Sequence, residues 1–168
     1  QVEWTTIFFF VGLFVVIGAV VKLGLIKFLA EQALQLTAGN LLATALLILG
    51  VSALLSAIID NIPYVATMNV LVIEMARALY PEAAASGDPR AILQHPDILP
   101  FWWALSLGAC LGGNGTAIGA SANVVVCGIA ERAGHPIPFL RFSYYGIPVV
   151  VMSTLVSALY IWLRYYAF

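Results

Sequence analysis

Charged side chains are what this sequence has least of: Asp, Glu, Lys and Arg make up 9% of its 168 residues. A soluble domain carries about 25%, so the chain cannot cover an ordinary globule with polar groups. Seven basic residues against eight acidic ones leave a net charge of −1. That balance argues against nucleic acid as a partner and against electrostatic adhesion to anionic lipid. Cysteine is almost missing. Cys110 and Cys127 lie in or beside apolar helix-like runs and are expected to be buried and reduced; a disulfide framework or metal centre needs more ligands. His95 falls in a hydrophilic loop and His135 in a proline-rich turn, where a structural role is expected. Gln1-Val2-Glu3 lacks the basic n-region of a signal peptide, so the chain reads as the interior or C-terminal part of a longer protein.

What is present is hydrophobic. Apolar residues make up 62% of the chain and the mean hydropathy is +1.02. The pattern predicts an all-α polytopic membrane protein lodged in a lipid bilayer. Residues 4–22 form an apolar run long enough for a transmembrane helix. Residues 24–37 alternate at helical spacing, with Lys27 and Glu31 opposite the apolar face, as an interfacial helix does. Residues 41–79 hold two apolar arms joined at Asp60-Asn61-Ile62-Pro63, and 80–99 are the one aqueous loop. Residues 100–132 are apolar but interrupted, and 138–166 are a last transmembrane helix closed by Trp162, Tyr165 and Tyr166.

The interruption is the first candidate site. GGNGTAIGASAN, residues 112–123, holds four glycines and two asparagines inside a charge-free stretch from Ile98 to Ala130. Phe101 to Leu111 and Val124 to Glu131 are each too short to span the bilayer alone, and joined they make one discontinuous helix. Non-helical backbone at membrane depth is tolerated where it is buried in protein or lines a water-filled cavity. In secondary transporters such breaks bind ions and substrates. Asn114, Thr116, Ser121 and Asn123 supply oxygens suited to a hard cation such as Na⁺. Close helix packing is the competing reading, with Gly108/Gly112 and Gly115/Gly119 at the required spacing.

Asp60 is the second. It is the only charged residue between Glu31 and Glu74, and an acid at bilayer depth costs about 3 kcal/mol by insertion scales. Its turn is short, flanked by Ile58, Ile59, Tyr64 and Val65, and has no Lys or Arg beside it. Ser52, Ser56 and Thr67 are expected to place oxygens around it. We therefore expect 41–79 to be a re-entrant hairpin that enters the membrane and turns back inside it.

VSALLSAIIDNIPYVATMNVL together with WWALSLGACLGGNGTAIGASANVVVCGIAERAG resembles the second repeat of the arsenite-efflux/sodium–proton antiporter (ArsB/NhaD) family. That family lies in the ion transporter superfamily, alongside the melanocyte P protein and the divalent anion–sodium symporters. The resemblance covers essentially the whole chain, 1–168. It implies that an N-terminal inverted repeat of the same transporter is the partner, that hairpin and broken helix move together in an elevator, and that the transporter is a homodimer. It places the hairpin-tip motif on Asp60-Asn61, preceded by Ser56 and followed by Thr67. The broken-helix loop falls on Gly113-Asn114-Gly115-Thr116, with Ser121 and Asn123 at its far end. Where carboxylate symporters carry serine at the tip, this chain has Asp60, which favours a cation or a titrating proton.

The expected function is thus a secondary active transporter of a small inorganic or organic ion in the cell (plasma or inner) membrane, not an enzyme. No cofactor is expected beyond Na⁺ or H⁺ as coupling ion, with Asp60, Asn61 and Asn114 as the Na⁺ ligands. Sodium–proton exchange, anion transport and arsenite efflux stay open, and a non-transporting scaffold subunit is the third alternative. An intramembrane aspartyl protease would need a second acid at depth, and the stretch from Ile98 to Ala130 offers none. If the hairpin is re-entrant, Lys22, Lys27, Arg77, Arg90 and Arg164 share one side, and their number makes that side cytoplasmic. The resemblance implies the reverse orientation.

Overall fold

The computed structural model describes residues 4–85 and 87–167, so Gln1-Val2-Glu3 lie outside the described residues. Helix α1, Trp4–Lys22, ends at Gly24, whose φ of 73° turns the chain into α2, Leu25–Leu36. Only glycine enters that left-handed region without strain. The axes of Val11–Lys22 and Leu25–Leu36 differ by 64°. Along α2, Ile26 and Ala30 face inward while Lys27 and Glu31 pair outside at 3.9 Å. The Thr37 hydroxyl donates to the Ala33 carbonyl at 3.0 Å and closes the helix. Asn40 opens the next one, its Oδ1 accepting from the Ala43 N–H at 2.9 Å.

Two long helices follow: α3, Leu41–Ser56, and α4, Asn61–Leu79. They are followed by two short helices, α5 (Pro81–Ala85) and α6 (Pro89–Leu93), and then by α7, Leu99–Gly112. A single 3-10 turn at Gly113–Gly115 separates α7 from α8, Ser121–Arg132. The last helix, α9, is Phe139–Tyr165. Helix α3 packs chiefly on α7, α2 on α4, and α9 on α7 and on the 3-10 turn. The core runs through Leu49, Val72, Met75, Phe101 and Leu105 to Ile161. Among the described residues α4 and α9 are each long and apolar enough to cross a bilayer, and the bent pair α1–α2 counts as a third if taken as one span.

The segment expected as an aqueous loop, 80–99, is a folded cap. Ile92 and Ile98 are buried, and Trp102 donates its indole N–H to the Leu93 carbonyl at 3.1 Å. Tyr80 stacks on His95 with ring centroids 3.9 Å apart and donates its hydroxyl to Asp97. The prolines and charges of this stretch marked it as hydrophilic, but its few apolar anchors suffice to fold it onto the ends of α4 and α7. The cysteines also depart from expectation: Cys110 is exposed, Cys127 is half-buried, and both are free. A chain whose outside is apolar has no reason to keep a small hydrophobe for the core.

Candidate functional site at the hairpin tip and helix break

The site begins with a seam. Toward its C-terminal end the buried face of α3 is small, with Ser52, Ala53 and Ser56 following Leu49. Opposite it, a Cβ on Gly108 would stand 2.6 Å from the Leu49 carbonyl oxygen, and one on Gly112 would stand 2.3 Å from that of Ala53. Nothing larger than glycine fits. The packing reading therefore holds for Gly108 and Gly112, which let two backbones touch. The Ser56 hydroxyl crosses the seam to the Ala109 carbonyl at 2.6 Å.

This seam carries the end of α3 straight to the break. Gly115 and Gly119 are not one helical face: Gly115 ends the 3-10 turn, and Gly119 lies in the turn before α8. A Cβ on Gly119 would lie 2.6 Å from the Gly113 carbonyl oxygen, 2.9 Å from that of Ser56 and 3.0 Å from that of Ala57. Thr116 is extended, and its hydroxyl donates to the Ala57 carbonyl at the hairpin tip. Asn123 holds the break in shape, its amide nitrogen donating to the carbonyls of Gly113 at 2.9 Å and Thr116 at 3.1 Å.

Asp60 joins the two halves. Its Oδ1 accepts from the Ile62 N–H at 3.1 Å, capping α4, and its Oδ2 accepts from the Ser121 hydroxyl at 2.6 Å, at the first residue of α8. One carboxylate thus faces the positive ends of two helices whose dipoles both favour it. Among the described residues each oxygen accepts one hydrogen bond, and no side chain caps α8.

The break also packs against α9. A Cβ on Gly146 would meet the Asn114 carbonyl oxygen at 2.4 Å, so helix and break touch there. At 1.5 Å per residue Gly146 lies about 10 Å from the start of α9 and about 29 Å from its end.

The residues singled out in the sequence divide accordingly. Asp60, Thr116 and Ser121 meet at the junction, and Asn61 starts α4 beside it. Gly113 and Asn123 bond to each other within the break. Asn114 lines a cavity of about 910 Å³ on the α9 side, with His135 and Arg141. The three hydroxyls expected around Asp60 serve elsewhere. Ser52 accepts from Tyr64 at 3.1 Å, Ser56 reaches Ala109, and Thr67 donates to Pro63 on its own helix at 3.0 Å. A hydroxyl in apolar surroundings needs a hydrogen-bond partner, and each of the three has one away from Asp60. The carbonyls of Ala57 and Ala109 and the close approach of Gly119 went unread, since apolar residues do not advertise their backbones; the glycine alone carried a signal.

The citrate transporter family matches residues 1–108, which include the hairpin and stop short of the break. Relatives align across both. An uncharacterized transporter of Mycobacterium tuberculosis is 54% identical over 166 residues, covering 99% of this chain and 36% of that protein. The 46 kDa membrane protein of Mycobacterium leprae is 49% identical over 165 residues, covering 98% of this chain and 35% of its own length. The P protein of Homo sapiens is 42% identical over 166 residues, covering 96% of this chain and 18% of its own. The chain therefore spans about a third of the length of the mycobacterial relatives. No solved structure matches it.

Proposed function

The chain belongs to the citrate transporter family, and from that premise we propose that it is the C-terminal repeat of a secondary active ion transporter coupled to Na⁺ or H⁺. Its likeness to the P protein accords with the ArsB/NhaD resemblance of the two sequence motifs. The chain is an integral membrane one, and we place it in the plasma or inner membrane beside an N-terminal repeat, within a homodimer.

One observation carries the reading: the Asp60 carboxylate accepts the Ser121 hydroxyl at 2.6 Å across 61 positions of sequence. An acid at this depth is costly unless donors or a cation meet it. Here two helix N-termini and a hydroxyl hold it in place and leave lone pairs to spare. Those lone pairs can take a proton or coordinate Na⁺, with the Ser121 and Asn61 oxygens as neighbouring ligands. The Gly113 carbonyl already accepts from Asn123 and has one lone pair left to offer. Asn114 belongs to the other side of the break.

Coupling follows from what the ion bridges. Asp60 sits on the hairpin and Ser121 on α8, so charging or neutralising the carboxylate alters the bond that ties them. The glycine-tight α3–α7 seam favours hairpin and break moving as one body, as an elevator requires, with α2 and the Gly24 bend as the link to a fixed scaffold. The hairpin is re-entrant in this scheme, since its tip docks at the break. The family's name favours an anion permease, with citrate as the first substrate to try, over arsenite efflux or sodium–proton exchange. Transport by full-length protein in liposomes tests it: Asp60→Asn should abolish dependence on Na⁺ and pH, and an unchanged dependence on both would refute the assignment.

A further inference from the structure

The break has a second face, opposite in character to the first. We propose that the cavity on its α9 side is an anion-binding vestibule in which Arg141 is the charged anchor; this rests on the reading of the chain as half of an ion-coupled transporter. The cavity holds about 910 Å³, within the range of small-molecule sites. It runs from His135 and Arg141, in and after the turn that precedes α9, down to Asn114 on the break itself. Tyr145 and Gly146 complete the wall beside Asn114.

The polar side chains lining it are donors: a guanidinium, an imidazole, an amide and a phenol, with no carboxylate among them. Glu131 lines a neighbouring cavity that shares Pro136 and Ile137 with this one, and Asp60 bonds Ser121 at the hairpin tip. Arg141 makes no ion pair among the described residues. A permanent cation on an apolar chain, with no counter-ion and a cavity before it, is arranged to receive an anion. The planar guanidinium fork selects a carboxylate or another oxyanion, which it can bind through two parallel bonds. Such an anion would rest against the Asn114 amide, in contact with the element whose other face holds Asp60. The two faces thus sort ions by sign.

The test uses full-length transporter in liposomes, with labelled citrate as probe and phosphate and sulfate as competitors. Arg141→Gln should raise the half-saturating citrate concentration about tenfold or more, the loss of one charge-assisted bidentate pair, while the maximal rate changes little. Arg141→Lys should recover part of the affinity. Citrate should also raise the melting temperature of the solubilised wild type and fail to raise that of Arg141→Gln. Three results would overturn the proposal: an unchanged citrate half-saturation in Arg141→Gln, a wild type that none of the three anions stabilises, or an Arg141→Gln protein that unfolds and is rescued by removing a carboxylate in the N-terminal repeat. The last would mean that Arg141 has a structural partner. Asp60→Asn separates this inference from the reading beneath it, since it should lose ion coupling yet keep stabilisation by citrate.

Discussion

The two flanks of the helix break are built from similar residues and behave in opposite ways. On the α3–α7 side, glycine and alanine bring backbones into contact and the seam is closed, with Ser56, Ala104 and Ala109 fully buried. On the α8–α9 side, the chain leaves Val124, Val125, Val126, Leu140 and Met152 exposed, Leu140 at 79%. The first flank is closed by contacts within this chain. The second leaves its apolar surface open, as the outside of an integral membrane protein does. Small residues are therefore not one signal: at Gly108 and Gly112 they permit contact, whereas nothing lies within 4 Å of a Cβ on Gly50 or Gly128.

The largest effect that can break this contrast is Gly112→Ala. Its Cβ would overlap the backbone of Ala53, which cannot step aside as a side chain can. We expect a loss of about 3 kcal/mol or more, at the upper end for overpacking, seen as a collapse of melting temperature and yield in full-length protein. A wild-type melting temperature would mean that the seam is loose. Ser121→Ala comes next. It removes the Asp60 bond across the junction, which among the described residues is the one side-chain bond tying the start of α8 to the hairpin, so about 1 kcal/mol of stability should go, together with several-fold weaker coupling-ion affinity in a flux assay. Gly50→Ala should act in the other direction. With open space at that position in α3, it gains about 0.5–1 kcal/mol of helix propensity, measured as a modest rise in melting temperature; a fall would show another part of the transporter pressed against that face.

The smallest effect lies in the cap. Burial, and then the hydrogen bond to Asp97, pushes the Tyr80 phenol up to about 12 from its ordinary 10.0. The folded protein thus holds this proton more tightly than the unfolded chain does. Its contribution is complete below pH 10 and is lost as the pH rises through 12. Tyr166 is likewise pushed up to about 12, chiefly by burial, so Tyr80→Phe should halve the latest component of the ultraviolet tyrosinate titration and lessen the alkaline loss of stability between those values.

Much of this was legible from residue chemistry. A lone acid and a polar run in an apolar helix each violate the bilayer's rules, and a violation is easy to see. The break itself reads almost in place: residues 113–120 separate the observed helices, where the sequence suggested 112–123. Pairings across the fold were not legible. Asp60 and Ser121 were both singled out, yet nothing local says that they bond. Asn114 and Asn123 looked equivalent, but the first stands on a 3-10 turn and the second on the first turn of α8, where its amide donates to Gly113 and Thr116. The cap over 80–99 was hidden by its prolines, which signal turns whether the turn is packed or open.

The central claim is that Asp60 is the coupling group, and ion-dependent flux through the full-length transporter tests it most directly. Asp60→Asn keeps the shape and the cap of α4 while removing the charge. Citrate uptake should persist at a reduced rate and become insensitive to Na⁺ and to pH. Uptake by Asp60→Asn that still follows both gradients as the wild type does would contradict the account.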